Sequence, residues 1–167
     1  MNTIETIAAR RSIRKFTEVA ISEEEITTLI AAGMNAPSAR NTQPWHLMII
    51  RNRETINSII EICPNGSLMK GADTAILVLG DLNDTDDYFV IDCAAAVQNI
   101  LLAAHELKLG TCWIGVYPRE PRVEGLKKLF SLPEQIIPHS LIALGHPAES
   151  KPANNNYREN RIHMEKW

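Results

Sequence analysis

DDYFVIDCAAAVQNILLAAHELKLG, residues 86–110, is the longest periodic stretch of the chain, and the fold is read outward from it. Ala94, Ala95, Ala96, Val97, Ile100, Leu101 and Leu102 cover nearly every side of a helix. A helix apolar all round belongs inside a core, and Gly110 is placed to cap its end. Its most apolar part, CAAAVQNILLAA at 93–104, is interrupted by Gln98 and Asn99. That part is shorter than the ~20 apolar residues a membrane span requires, so no membrane association is expected.

On the C-terminal side, TCWIGVY (111–117) reads as a strand entering a turn at Gly115. Residues 120–130 follow as a short helix carrying Val123, Leu126, Leu129 and Phe130, and IIPHSLIALG (136–145) is a last strand. On the N-terminal side, TAILVLG (74–80) is a continuous apolar run of strand length. Before it, NGS (65–67) breaks the chain, and Ile56, Ile59 and Ile60 form a helical stripe in 53–62. WHLMII (45–50) is a strand preceded by the loop NAPSARNTQPWHL (35–47), rich in proline and amides. Ser22 and Glu25 form a capping-box pattern ahead of Ile26, Leu29, Ile30 and Gly33, a helix to about Met34. Ile4, Ile7 and Ala8 share one face of a helix over 3–9. Strands and helices alternate to 145 without linker or repeat, so residues 1–167 form one domain. From His146 the periodicity stops. The segment 146–167, ending RIHMEKW, is expected to pack on a partner subunit, because Trp167 would otherwise stand in water.

Net charge is −3, which disfavours a general nucleic-acid binder. Three cysteines without a CxxC pair argue against a disulfide framework or a zinc or iron–sulfur site, and suit reduced, buried thiols in the cytoplasm. The five histidines (46, 105, 139, 146, 163) have no metal-ligand spacing. GxGxxG, P-loop and GxSxG motifs are absent. Against this background ARRSIRKF (9–16) stands out, with Arg10, Arg11 and Arg14 within five residues. A second basic group, Lys151, Arg158 and Arg161, lies in the tail, and Asn41 and Gln43 offer paired donors and acceptors. Guanidinium forks suit phosphate, so the residues suggest a phosphorylated heterocycle. The alternative for RRSIR is a solvated, salt-bridged helix end.

Taken in order, RRSIRKF, NAPSARNTQPWHL, LGTCWIGVY, ALGHPAE and RIHMEKW resemble the signatures of the flavin-dependent nitroreductase family, over the whole chain and in its compact form. The resemblance implies an α+β fold, a mostly antiparallel central sheet flanked by helices, in an intertwined homodimer with a swapped C-terminal tail. It implies FMN at the dimer interface. Arg10 and Ser12 would hold its phosphate end, with Arg11 sharing this role. Arg14 would reach the N1/O2 edge of the ring, where a fixed cation stabilises the reduced form. Pro37, Ser38 and Ala39 of the other subunit would lie against the flavin. Asn41 would bond its pyrimidine edge with support from Gln43. Ile114, Gly115 and Val116 would present backbone to the ring near N5 and O4, with Trp113 also at the cofactor, and Arg158 would complete the phosphate site. Whether Tyr117 or Glu120 faces the pocket stays open.

The activity implied is hydride transfer from NADH or NADPH to flavin N5, then to a small nitroaromatic, quinone or similar acceptor, with ping-pong kinetics. No side chain is required as a catalytic acid and no metal is expected. Two alternatives stand beside it: a specialised flavoenzyme of the same fold (a dehalogenase or a ring or peptide oxidase), and a non-enzymatic flavin carrier or redox sensor.

Overall fold

A computed structural model describes residues 2–83 and 88–167. The elements run α1 (Thr3–Ala9), α2 (Glu23–Met34), β1 (Trp45–Ile50), α3 (Arg53–Ile62), β2 (Thr74–Asp81), α4 (Phe89–Glu106), β3 (Gly110–Gly115), α5 (Glu120–Phe130) and β4 (Ile136–Gly145). The beginning of the helix expected from 86 lies partly outside the described residues.

The four strands form one antiparallel sheet in the order β1-β2-β4-β3, so β1 and β3 are its edges. Successive side chains on a strand point to opposite faces, and the two faces carry separate cores. Ile76, Val78, Ile142 and Leu144 pack with Ile26 and Leu29 of α2 and Ala96, Val97 and Ile100 of α4. Leu77, Leu79, Leu141, Cys112 and Ile114 pack with Ile56 and Ile59 of α3 and Val123 and Leu126 of α5. β2 is buried from Thr74 to Gly80 because helices cover both sides of it, which is why its sequence is apolar without alternation. The fold is α+β, as the sequence suggests.

Local chemistry explains the element boundaries. Ser22 and Glu25 close the capping box of α2, with Ser22 Oγ accepting the Glu25 N–H at 3.2 Å. α2 crosses α4 at Gly33, where a Cβ would come 2.9 Å from Ile100 Cδ1. Among the described residues α4 is the one helix long and apolar enough to span a membrane. This fold buries one face of it, Cys93, Ala96, Val97, Ile100, Leu101 and Ala104, in the first core, and leaves Ile91 on the other side exposed, so the helix is not buried all round as its composition suggests.

Gly110 is not the cap of α4. The cap is Leu107, Lys108 takes the left-handed turn at φ 61°, and Leu109 N–H closes on the Ala104 carbonyl at 2.8 Å. Gly110 instead starts β3 and lies under Ile13, whose Cγ2 would be 2.8 Å from an added Cβ. That side-chain approach comes from a distant segment, so the local sequence could not show it.

The tail leaves the domain later than expected. Residues 146–154 are bound to their own chain: Thr17 N–H donates to the His146 carbonyl (2.8 Å), Ala148 N–H to the Lys15 carbonyl (2.9 Å), Lys151 Nζ to the Ser12 carbonyl (2.6 Å), and Asn154 N–H to the Ala8 carbonyl (3.3 Å). From 152 to 167 every residue is exposed, and among the described residues Trp167 stacks on His163 alone, with ring centroids 4.4 Å apart. The apolar stripe of α1 is also uncovered, with Ile4 75% and Ile7 52% exposed.

Candidate cofactor site

The segment after α1 is extended and lies along the free edge of β3. Ser12 bridges Thr111 in parallel, and Ile13 N–H donates to the Thr111 carbonyl at 2.8 Å. Alternation then divides the arginine cluster. Arg11 and Ile13 line a cavity of ≈ 240 Å³ with His105, Leu109 and Pro147, while Arg14 lines a different one. Arg10, Ser12, Arg14 and Lys151 all act on the Cys112 thiol. Burial pushes that thiol above its ordinary value, and Arg14, Lys151, a hydrogen bond from Ser12, and Arg10 oppose the rise. The bond of Lys151 Nζ to the Ser12 carbonyl (2.6 Å), its pair with Glu149, and the Arg14 N–H donated to the same carboxylate hold Ser12, Arg14 and Lys151 together along the edge of β3.

Glu149 organises this cluster without neutralising its arginines. Its carboxylate accepts the Arg14 N–H at 2.5 Å and pairs with Lys151 Nζ at 3.2 Å. The Arg14 backbone N–H, assisted by Lys151 and the Lys15 N–H, holds the Glu149 carboxyl below the usual range. The Arg14 guanidinium itself has no partner among the described residues. Arg51 and Arg53 behave differently: Arg51 bonds Glu23, the Ile21 carbonyl and Thr74, and Arg53 bonds the Lys70, Ala72 and Asp73 carbonyls. Those two arginines serve the fold, whereas Arg14 faces open space.

That space is a cavity of ≈ 220 Å³ walled by Arg14, Asn65, Leu68, Cys112, Trp113, Ile114, Gly115, Arg119 and Arg122, with no carboxylate among them. Gly115 marks its floor. An added Cβ there meets nothing within 4 Å, although strand glycines 110 and 145 are both covered by side chains. Arg122 Nη1 donates to the Gly115 carbonyl at 2.6 Å and fixes the turn after β3.

Of the residues expected to touch the cofactor, Arg14, Trp113, Ile114 and Gly115 line this cavity, Ser12 is bridged to Thr111 on the adjoining edge of β3, and Arg10 alternates with it on the same side of the extended segment. Val116 does not. Its side chain is fully buried in the second core, and its N–H donates to the His139 carbonyl at 3.3 Å, because β4 bulges toward the turn. Tyr117 and Glu120 are also absent from the wall. Tyr117 packs edge-on against Phe89 at 5.2 Å, and the turn presents Arg119 and Arg122 instead. Asn65, Leu68, Arg119 and Arg122 escaped the sequence reading. Asn65 lies in the NGS break, and Arg119 and Arg122, three apart across the start of α5, belong to no local pattern that marks a site. Arg158 is exposed on the tail, its side chain bonded among the described residues to the neighbouring Tyr157 carbonyl alone at 3.4 Å, and is not brought to the cluster.

Pro37, Ser38, Ala39, Asn41 and Gln43 are also elsewhere. They precede β1, the opposite edge of the sheet, four strand spacings or roughly 19 Å from the Ser12 segment. The loop is held on the α4 side, where Asp92 Oδ1 accepts the Ala39 N–H at 3.0 Å. Arg40, Asn41 and Gln43 all adopt positive φ (53°, 57° and 52°), a conformation costly for L-residues. Ser38 Oγ accepts the Gln43 N–H (2.9 Å) and Asn41 Oδ1 accepts from Gln43 Nε2 (3.2 Å). Both residues are exposed, and the Asn41 amide donors and the Gln43 side-chain carbonyl have no partner among the described residues.

An arginine-lined cavity without carboxylates, backed by bare strand backbone at Gly115, is an arrangement suited to an anion. The chain belongs to the nitroreductase family, whose model matches residues 7–66 and 63–146. A protein of Methanothermobacter thermautotrophicus described as "Putative NADH dehydrogenase/NAD(P)H nitroreductase" is 47% identical over 169 residues, covering 100% of this chain and 88% of its own. The crystal structure of a protein of the same description from Parabacteroides distasonis has a TM-score of 0.96 at 38% identity and covers all of both chains. The NADPH:FMN oxidoreductase of Vibrio harveyi, solved with NAD+, has a TM-score of 0.88 at 27% identity over 100% of this chain and 78% of that one.

Proposed function

We propose that this protein is an NAD(P)H-dependent FMN oxidoreductase that reduces small electron-poor acceptors, nitroaromatics or quinones, by a ping-pong route, as a homodimer. The observation that carries this reading is the cavity at Gly115: open space against strand backbone, walled by guanidinium groups and no carboxylate. FMN, when bound, supplies the atom that accepts and then donates hydride.

The residues present fit that group. Arg10, Ser12 and Lys151 form a cationic end for the phosphate, and Arg14 supplies the charge that favours the reduced ring. Gly115 lets the ring approach the backbone, and Asn65 offers its amide to a ring edge. Asn41 and Gln43 present a matching donor–acceptor pair, but on the far edge of the sheet. A second copy of the chain delivers them to the ring, with Pro37, Ser38 and Ala39. The uncovered Ile4 and Ile7, and a tail exposed from 152 to 167 that carries Arg158, support the same pairing of chains.

The test is a visible absorbance spectrum of the purified protein before and after anaerobic NADH and NADPH. A flavin spectrum that bleaches within one mixing is expected. A protein that stays colourless after incubation with FMN refutes the reading, and bleaching over minutes or longer identifies a flavin carrier instead.

A further inference from the structure

Asp92 carries a carboxyl group where packing asks for an apolar side chain. It lies in the first turn of α4, on the face that also holds Phe89 three positions before and Ala96 four positions after, and it is 4% exposed. Its Oδ2 is buried and has no hydrogen-bond partner among the described residues. Burying a polar oxygen without a partner is unfavourable, so the core gains nothing here that an alkyl side chain would not give. The gain is at Oδ1, which accepts the Ala39 N–H at 3.0 Å from a loop 53 positions away.

Among the described residues this is the one hydrogen bond that joins residues 38–43 to another element. The other bonds of the loop are internal: Asn41 N–H to the Ser38 carbonyl and Thr42 N–H to the Ala39 carbonyl, both at 3.1 Å, and Gln43 N–H to Ser38 Oγ at 2.9 Å. They shape the loop without placing it. The loop is also costly, with Arg40, Asn41 and Gln43 at positive φ and Thr42 Oγ1 buried without a partner among the described residues. Strain of this kind persists only where the surroundings impose it, and here the imposing group is a carboxyl on a core helix.

We infer that Asp92 is a positioning residue of the flavin site: it sets the loop 38–43 in the shape that presents Asn41 and Gln43 to the ring bound by a second copy of the chain. This rests on the FMN oxidoreductase reading and its pairing of chains. Asp92 touches neither flavin nor substrate and acts through the loop.

The experiment titrates FMN and riboflavin separately into the full-length, flavin-free protein and reads binding from flavin fluorescence. Asp92→Leu removes the acceptor and suits the core. It should weaken both flavins equally, about tenfold, because the ring edge is common to both. Asp92→Asn keeps a side-chain oxygen for the Ala39 N–H and should stay within about threefold of the unaltered protein. Ala39→Pro removes the donor without touching the core, at a site where the extended Ser38 (φ −139°, ψ 157°) accepts a following proline. It should reproduce the loss, and it decides the matter should Asp92→Leu fail to fold. Coupling separates positioning from general destabilisation. In a protein already carrying Asn41→Ala and Gln43→Ala, either change should cost less than about twofold more. Unchanged flavin affinity in Asp92→Leu and Ala39→Pro, or a full tenfold loss on top of the altered loop, overturns the inference. So does an Asp92→Asn protein as weak as Asp92→Leu, or a loss confined to FMN, which would put the effect at the phosphate. An unaltered protein that takes up no flavin refutes the oxidoreductase reading itself. Flavin uptake that does not depend on Asp92 refutes only the role of this residue.

Discussion

Gly115→Ala separates a glycine kept for a ligand from one kept for packing. The added Cβ meets no protein atom within 4 Å, and Gly115 does not have positive φ. The flavin-free protein should therefore be unchanged or gain about 0.4–1 kcal/mol through its less flexible unfolded chain. The loaded protein should suffer, because the methyl group occupies the space the ring needs. Overpacking of one methyl typically costs about 1–3 kcal/mol, so FMN affinity should fall roughly 5- to 150-fold. Gly110→Ala is the counter-case. Its Cβ would lie 2.8 Å from Ile13 Cγ2, so the flavin-free protein itself should lose about 1–3 kcal/mol. Urea denaturation of both flavin-free variants and fluorescence titration with FMN measure the two quantities. If Gly115→Ala destabilises the flavin-free fold by more than about 1 kcal/mol, the space beside it is not open. If it leaves both stability and FMN affinity unchanged, the ring does not lie on this strand.

Arg10→Ala should weaken FMN far more than riboflavin, and equal losses in a paired titration would remove Arg10 from the phosphate end. Deleting residues 152–167, all exposed in the single chain, should yield monomers or aggregates, and a tight dimer by light scattering would refute the role of the tail. His139 is buried in β4 and its pKa is depressed by burial from 6.5 to about 4. The unfolded chain then binds more protons than the native one in that interval. Stability is thus complete above pH 6.5 and declines as pH falls toward about 4. The loss amounts to about 3 kcal/mol at ~1.4 kcal/mol per unit. His139→Gln should flatten this part of the denaturation profile, and an identical slope in that variant would assign the acid sensitivity elsewhere.

The sequence by itself determined the elements and much of the cluster. Periodicity placed the strands and helices because each element shows its buried face at a fixed repeat, and the Ser22–Glu25 box closed where it was read. The cationic segment was legible because Arg10, Ser12 and Arg14 are local and alternate along an extended chain. Tertiary structure alone decided the rest. Only the packing of β3 against a segment about 100 positions earlier turned Arg14 toward the cavity and Arg11 away from it. Only the sheet order put Asn41 and Gln43 at the edge opposite Ser12. The bulge between Val78 and Leu79, and the bonds of the turn to His139, gave Val116 to the core and Arg119 to the cavity wall. Which side chains converge depends on distant backbone pairing, and a linear pattern of residues carries no record of it.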